Sequence, residues 1–120
     1  MSQLATSSRP TLFVRTKYLA HHKFRTYNYP LEIAFDARKS EANAVSRGLP
    51  FGLVAEFNWT TALVVADARH AYPEPRFLAH GLIADRLHAV VFTPIVEGVR
   101  VISFRKANAR EMRRYAQARS

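Results

Sequence analysis

The sequence predicts an α+β fold: an antiparallel β-sheet with two helices after the first strand and a C-terminal helix, in the order β-α-α-β-β-β-β-α. Three observations predict it. A block of helical period runs from Asp36 to Arg47 and stops at Gly48. From Thr61 to Phe104 the apolar residues recur with a period of two in four successive runs, which argues strands joined by tight turns. After Arg105-Lys106 the alternation gives way to a strongly basic helical pattern, AREMRRYAQAR.

Residues 1–30 form a basic N-terminal extension, and residues 31–120 form the main domain. The extension carries Arg9, Arg15, Lys17, Lys23 and Arg25 and no acidic residue. Its first ten residues are expected to be a mobile arm, and Thr11–Tyr18 a short strand. A plain extension is favoured over a dedicated RNA-binding arm. His21-His22 is a weak metal signal because adjacent residues rarely converge on one ion.

Leu31–Phe35 is expected to be a strand, after which Asp36 caps a helix that Gly48 ends. Ala42 and Val45, followed by Leu49, are expected to cover the core, with Lys39, Asn43 and Arg47 on the opposite face. Phe51–Phe57 reads as a second, short helix, with Trp59 beyond it, all core by default. The strands Ala62–Ala66, Arg76–Ile83, Leu87–Thr93 and Val99–Phe104 then form a meander, interrupted by the loop Asp67–Pro75 and by turns at Ala84–Arg86 and Pro94–Gly98. In the last strand Val99, Val101 and Ser103 share one face, and Arg105 leaves the sheet at its end. Asn108 and Glu111 have the spacing of a capping box. In the helix that follows, Arg110, Arg113 and Arg114 lie on one side, while Ala109, Met112 and Ala116, with Tyr115 beside them, pack on the other. Helices on one face would leave the other face of the sheet free.

Eighteen Lys and Arg against nine Asp and Glu give a net charge of +9, which implies a polyanionic partner, with nucleic acid favoured. There is no cysteine, so disulfides, thiolate chemistry and Cys-based zinc sites are excluded. No apolar run approaches membrane-spanning length and the N-terminus lacks a secretory pattern, so a cytoplasmic protein that does not engage membranes is expected. Gly-rich phosphate loops, G-x-S-x-G, H-E-x-x-H and closely spaced carboxylate pairs are all missing. What remains is the cluster Arg69, His70, Tyr72, Glu74 and Arg76 in and after the Asp67–Pro75 loop. A solvated loop histidine beside Asp67–Arg69 or Glu74–Arg76 surface pairs is the competing view. By the order of the meander, Arg76 and Arg105 lie on non-adjacent strands and should not be neighbours unless the loop folds back across the sheet.

Several blocks, in order, resemble the BrnT family of toxins over about Leu31–Arg119: I-A-F-D-x-x-K-x-x-x-N-x-x-x-R-G-L-P-F, D-A-R-H-x-Y-x-E-x-R, G-L, V-V-F-T, and R-V-I-S-F-R-K-A-x-x-R-E-x-R-R-Y. The resemblance implies a RelE-like ribonuclease fold with its last strand central in the sheet. It also implies a toxin that cleaves RNA without a metal or other cofactor, and a BrnA-type antitoxin that binds it as a hetero-oligomer. Arg69, His70, Glu74, Arg76, Arg105 and Tyr115 fall on matching positions. The chain departs from the family pattern at Ser46-Arg47, at Phe104 and at Pro73.

Such cleavage needs a base for the 2′-OH proton, cations for the phosphoryl oxygens and an acid for the 5′ oxygen. The expected catalytic set is His70, Glu74, Arg76 and Arg105. His70 would act as base or acid, and Glu74 would orient it or share the proton transfers. Arg69, Lys39, Lys106, Arg110, Arg113, Arg114 and Tyr115 are the expected RNA-binding residues. The alternative is a basic RNA-binding or antitoxin-docking protein without catalysis.

Overall fold

In a computed structural model, residues 11–22 and 25–120 are described, with side chains described for 11–15 and 31–120. The expected mobile arm and the side chains of His21-His22 lie outside them. Six strands form one sheet: β1 (Thr11–His22), β2 (Arg25–Asp36), β3 (Leu63–Ala66), β4 (Phe77–Ile83), β5 (Arg86–Ile95) and β6 (Gly98–Lys106). Two α-helices accompany it, α1 (Ala37–Arg47) and α2 (Ala109–Arg119). The sheet order is β1-β2-β6-β5-β4-β3.

The meander β3-β4-β5-β6 pairs antiparallel as expected. The sheet as a whole is mixed, because β2 pairs with β6 in parallel through Glu32–Ala34 and Gly98–Arg100. Periodicity marks a residue as extended but not the partner it finds, so the parallel pairing was not visible in the sequence. The first expected strand is also longer, beginning at Arg25, and its outer partner is the antiparallel β1.

Local chemistry sets the ends of α1. The Asp36 carboxylate accepts from the backbone N–H groups of Arg38 and Lys39, and Gly48 closes the helix at φ +71°, a left-handed conformation that costs glycine little. The expected core face of α1 is overturned. Val45 is 82% exposed and Ala42 is exposed, whereas Ser40 is buried, its hydroxyl accepting from the Phe51 N–H. Asn43 donates from Nδ2 to the carbonyls of Leu49 and Phe104 at 2.7 and 2.9 Å, and Arg47 donates to the Phe104 carbonyl. Beyond Ala34 and Arg100, β2 no longer pairs with β6, and these side chains satisfy backbone groups of β6 that β2 leaves behind. A polar helix face packs inward here because it has hydrogen bonds to make.

The expected second helix is a 3₁₀ turn, Phe51–Glu56, entered through Pro50 and followed by a shorter one at Trp59–Thr61. Six residues containing Gly52 are too few for a stable α-helix. These turns cover one face of the sheet with Phe51, Val54, Phe57 and Trp59, which pack with Leu31, Ile33, Phe35, Val90, Phe92 and Val99. Trp59 meets Phe57 and Phe92 edge-on at ring-centroid distances of 4.7 and 5.1 Å.

Strand β6 carries a bulge. Val91 pairs with Ser103 and Phe92 with Val101, so Ile102 is an extra residue and the facing of the strand reverses after it. Val99, Val101 and Phe104 are therefore all buried, and Ser103 does not share the face of Val99 and Val101 as the alternation predicts. Arg105 remains in the sheet, paired with Ala89.

Candidate functional site: the open face of the sheet

Strand alternation defines the face opposite the core. Val64, Ala79, Val90 and Phe104 belong to the core, so their neighbours Leu63, His80, Ala89 and Arg105, which pair in a row across β3-β4-β5-β6, point the other way. The next row on that side is Val65, Leu78, Val91 and Ser103, all partly or fully exposed. A third row joins Phe13, Ala34, Arg100 and Thr93 across β1-β2-β6-β5. Arg76, immediately before Phe77, stands at the β4 end of that row, where the Thr93 hydroxyl donates to the Pro75 carbonyl at 2.8 Å.

One end of this face is closed by α2. The capping box forms as its spacing predicts, with the Glu111 N–H donating to Asn108 and the Asn108 N–H to the Glu111 carboxylate. Glu111 does more than cap. Its carboxylate reaches over Ala89, whose single methyl leaves room, and accepts both Arg105 guanidinium N–H groups at 2.8 and 2.9 Å. It also lies 2.9 Å from His80 Nε2. The Arg105 hydrogen bonds hold the Glu111 carboxyl well below the usual carboxylate range, the Asn108 and His80 contacts act in the same direction, and burial opposes them. An ionised carboxylate only accepts, so His80 must donate from Nε2. Arg105 in turn is held more firmly protonated by Glu111, against burial and the nearby positive charge of Arg69.

The expected packing side of α2 is overturned with it. Ala109, Met112 and Ala116 are exposed, and the helix is anchored by Glu111 and by Tyr115, whose hydroxyl donates to the Thr61 carbonyl. Tyr115 is therefore engaged in holding α2. Arg110, Arg113 and Arg114 are exposed, as the sequence reading expects.

The other end of the face is the Asp67–Pro75 loop. His70, Tyr72, Glu74 and Arg76 line one cavity of about 360 Å³ with Asp67 and Phe77. The Arg76 guanidinium lies 4.1 Å over the Tyr72 ring, a cation–π contact that fixes its plane. Its Nε–H is buried without a hydrogen-bond partner, an arrangement that costs free energy until an acceptor arrives. His70 is exposed and meets Tyr72 edge-on. Arg69 pairs in a two-pronged contact with the Asp67 carboxylate at 2.8 and 2.9 Å, which lowers the proton affinity of Asp67 and raises that of Arg69. Glu74 contacts Arg100 at 3.4 Å and makes neither of the contacts considered for it, to His70 or to Arg76.

The structure thus brings His70, Glu74 and Arg76 together and leaves Arg105 in a different row of the same face, four residues along the strands and two strands across, roughly 16 Å away at about 3.3 Å per residue and about 4.8 Å per strand. The expected separation of Arg76 from Arg105 holds. Lys106 lines a separate cavity of about 380 Å³ with Arg47, Leu49 and Arg105, and Lys39, on α1, lines another with Ile102 and Ser103. The sequence reading passed over Arg100 and His80. A histidine inside the apolar run FLAHGLI signals a buried polar group that needs a partner; Arg100 gave no signal apart from the register that sets it beside Glu74.

Among the described residues, no group of three or more His, Asp or Glu could hold a metal ion, and no helix is long and apolar enough to cross a membrane. The family model described as the ribonuclease toxin BrnT of a type II toxin–antitoxin system matches residues 35–111. No curated protein and no solved structure matches the chain.

Proposed function

Since the chain belongs to the BrnT family of ribonuclease toxins of type II toxin–antitoxin systems, we propose that the open face of the sheet binds RNA and cleaves it by attack of a 2′-OH on the adjacent phosphorus. The observation that carries this reading is the cavity where His70, Glu74 and Arg76 meet, with the buried Arg76 Nε–H lacking an acceptor. The partly exposed Arg76 guanidinium is the cation that a phosphate oxygen meets there.

The O2′–P bond forms as the P–O5′ bond breaks, giving a 2′,3′-cyclic phosphate and a 5′-OH. The proton leaves O2′ for one group, and O5′ receives one from another. His70 and Glu74 share these two transfers, His70 because an imidazole ring can both accept and donate a proton and Glu74 because Arg100 holds it at the rim of the same cavity. Arg76 meets the charge that gathers on the phosphoryl oxygens, its fork oriented by Tyr72. Arg69 and Arg105 hold the flanking backbone, and the exposed Arg110, Arg113 and Arg114, with Lys39 and Lys106, add charge around the face. No step draws on a metal ion. The partner protein is an antitoxin, of BrnA type by the resemblance, bound as a hetero-oligomer that covers this face. The RelE-like assignment of the fold and a cytoplasmic location accompany this reading.

Purified protein incubated with RNA in excess chelator is expected to yield fragments ending in a cyclic phosphate. Cleavage that requires added Mg²⁺ would overturn the mechanism. Binding without cleavage under any condition would favour a non-catalytic RNA-binding or antitoxin-docking role.

A further inference from the structure

Strand β1 lies outside the residues matched by the family model, yet it belongs to the same sheet and adds to its open face. Phe13 pairs with Ala34, which pairs with Arg100, so all three stand in one row. Its core-facing neighbours Leu12 and Val14 alternate with it, opposite Phe35 and Ile33. Phe13 is 56% exposed, while Ala34 between it and Arg100 is buried and small, so the two flanking side chains start two strand spacings, or about 10 Å, apart. Arg15 follows on the same side, within 3.9 Å of Glu32.

We infer that Phe13 is a stacking platform for a nucleobase of single-stranded RNA whose backbone is held by Arg100 and Arg76. This inference rests on the RNA reading of the open face. The surroundings choose the occupant. An apolar protein partner needs a contiguous apolar patch, but among the described side chains of β1 the other exposed apolar one, Leu12, is 49% exposed on the opposite side of the sheet. Among the described residues of its row, Phe13 is the one aromatic and Arg100 and Arg76 are the cations. Of the acids nearest this row, Glu32 and Glu74 each face an arginine already, and Asp36 is engaged in capping α1. An aromatic ring beside a basic track is the combination that binds single strands, the cations meeting phosphates and the ring accepting any base.

The probe is a fluorescent single strand of about 12 nucleotides, 2′-O-methylated throughout so that it binds without offering a 2′-OH nucleophile. Phe13→Ala is expected to weaken binding about 5- to 150-fold, from a stacking contribution of roughly 1–3 kcal/mol per base, with the salt dependence unchanged. Phe13→Trp should restore affinity and Phe13→Leu should not, because stacking needs a π face. Arg100→Ala should instead reduce the salt slope by about 0.7 for the phosphate released. Melting temperatures of the Phe13 variants should match the unaltered protein, since the ring is largely exposed. If Phe13→Ala binds normally while Arg100→Ala weakens binding, the stacking role is overturned and the RNA face stands. If Phe13→Ala keeps RNA affinity but loses the antitoxin, β1 serves the protein partner and the inference is wrong. If the unaltered protein neither binds this probe nor cleaves unmodified RNA, the reading of the face fails and takes the inference with it.

Discussion

Glu111→Gln tests the polar network that ties α2 to the open face. The native carboxylate accepts four donors: two from Arg105, the Asn108 N–H, and His80 Nε2. Glutamine keeps one oxygen, enough for Asn108 and one Arg105 N–H, and turns its NH₂ toward the remaining donors. Hydrogen bonds to charged groups contribute about 1.5–3 kcal/mol each. The Arg105 side chain is 37% exposed against 10% for Glu111, so solvent screens its share to about 1 kcal/mol or less. Losing one Arg105 bond and the His80 bond therefore destabilises the protein by about 2–4 kcal/mol, a fall of roughly 6–16 °C in melting temperature for a domain of this size. The pH dependence sharpens the test. The folded carboxyl sits below its ordinary value of 4.5, so the unfolded chain takes up a proton first as pH falls. The contribution is fully present above pH 4.5 and is lost as pH drops through the folded value. Denaturant unfolding followed by circular dichroism at pH 7 and pH 3 measures both. A variant within 2 °C of the unaltered protein at pH 7, roughly half a kcal/mol, or a stability gap undiminished at pH 3, would refute the reasoning.

Other perturbations probe the fold and the site separately. Gly81→Ala puts a methyl 2.5 Å from the Phe57 ring, which is itself fixed between core side chains; a loss of about 1–3 kcal/mol is expected in chemical denaturation. Asn43→Ala removes the donor to the Leu49 carbonyl and leaves the Phe104 carbonyl to the longer Arg47 contact, and should cost about 1–3 kcal/mol by the same measurement. Arg76→Lys keeps the charge but loses the planar fork stacked on Tyr72. RNA cleavage should fall about 10²- to 10³-fold in kcat, with stability little changed, and unaltered kcat would remove Arg76 from the chemistry. His70→Ala should abolish turnover while RNA affinity stays within about 3-fold, since the arginines of the face make the phosphate contacts.

Much of this protein is written locally. The Asp36 cap, the Gly48 stop and the Asn108–Glu111 box were legible because each depends on atoms within a few residues of one another. The meander was legible from alternation and turns. Candidate site residues were legible as types: the loop from Arg69 to Arg76 and the strand end at Arg105 both appear as charge and histidine where structural needs do not call for them. The polar side of α1 was misread because a helical wheel assigns polar residues to solvent, whereas Asn43 and Ser40 have backbone partners far along the chain.

Only the tertiary structure decided which strands meet and in what register. The parallel pairing of β2 with β6 adds β1, and with it Phe13, to the face that holds Arg100. The extra residue Ile102 turns Phe104 into the core and Arg105 onto the open face. Ala89 between His80 and Arg105 lets one carboxylate reach both. The sequence by itself determined the elements, their caps and the residues able to do chemistry. It could not determine their grouping, because a strand's hydrogen bonds are satisfied equally well by many partners, and the choice among them is made by the burial of side chains far apart in the chain.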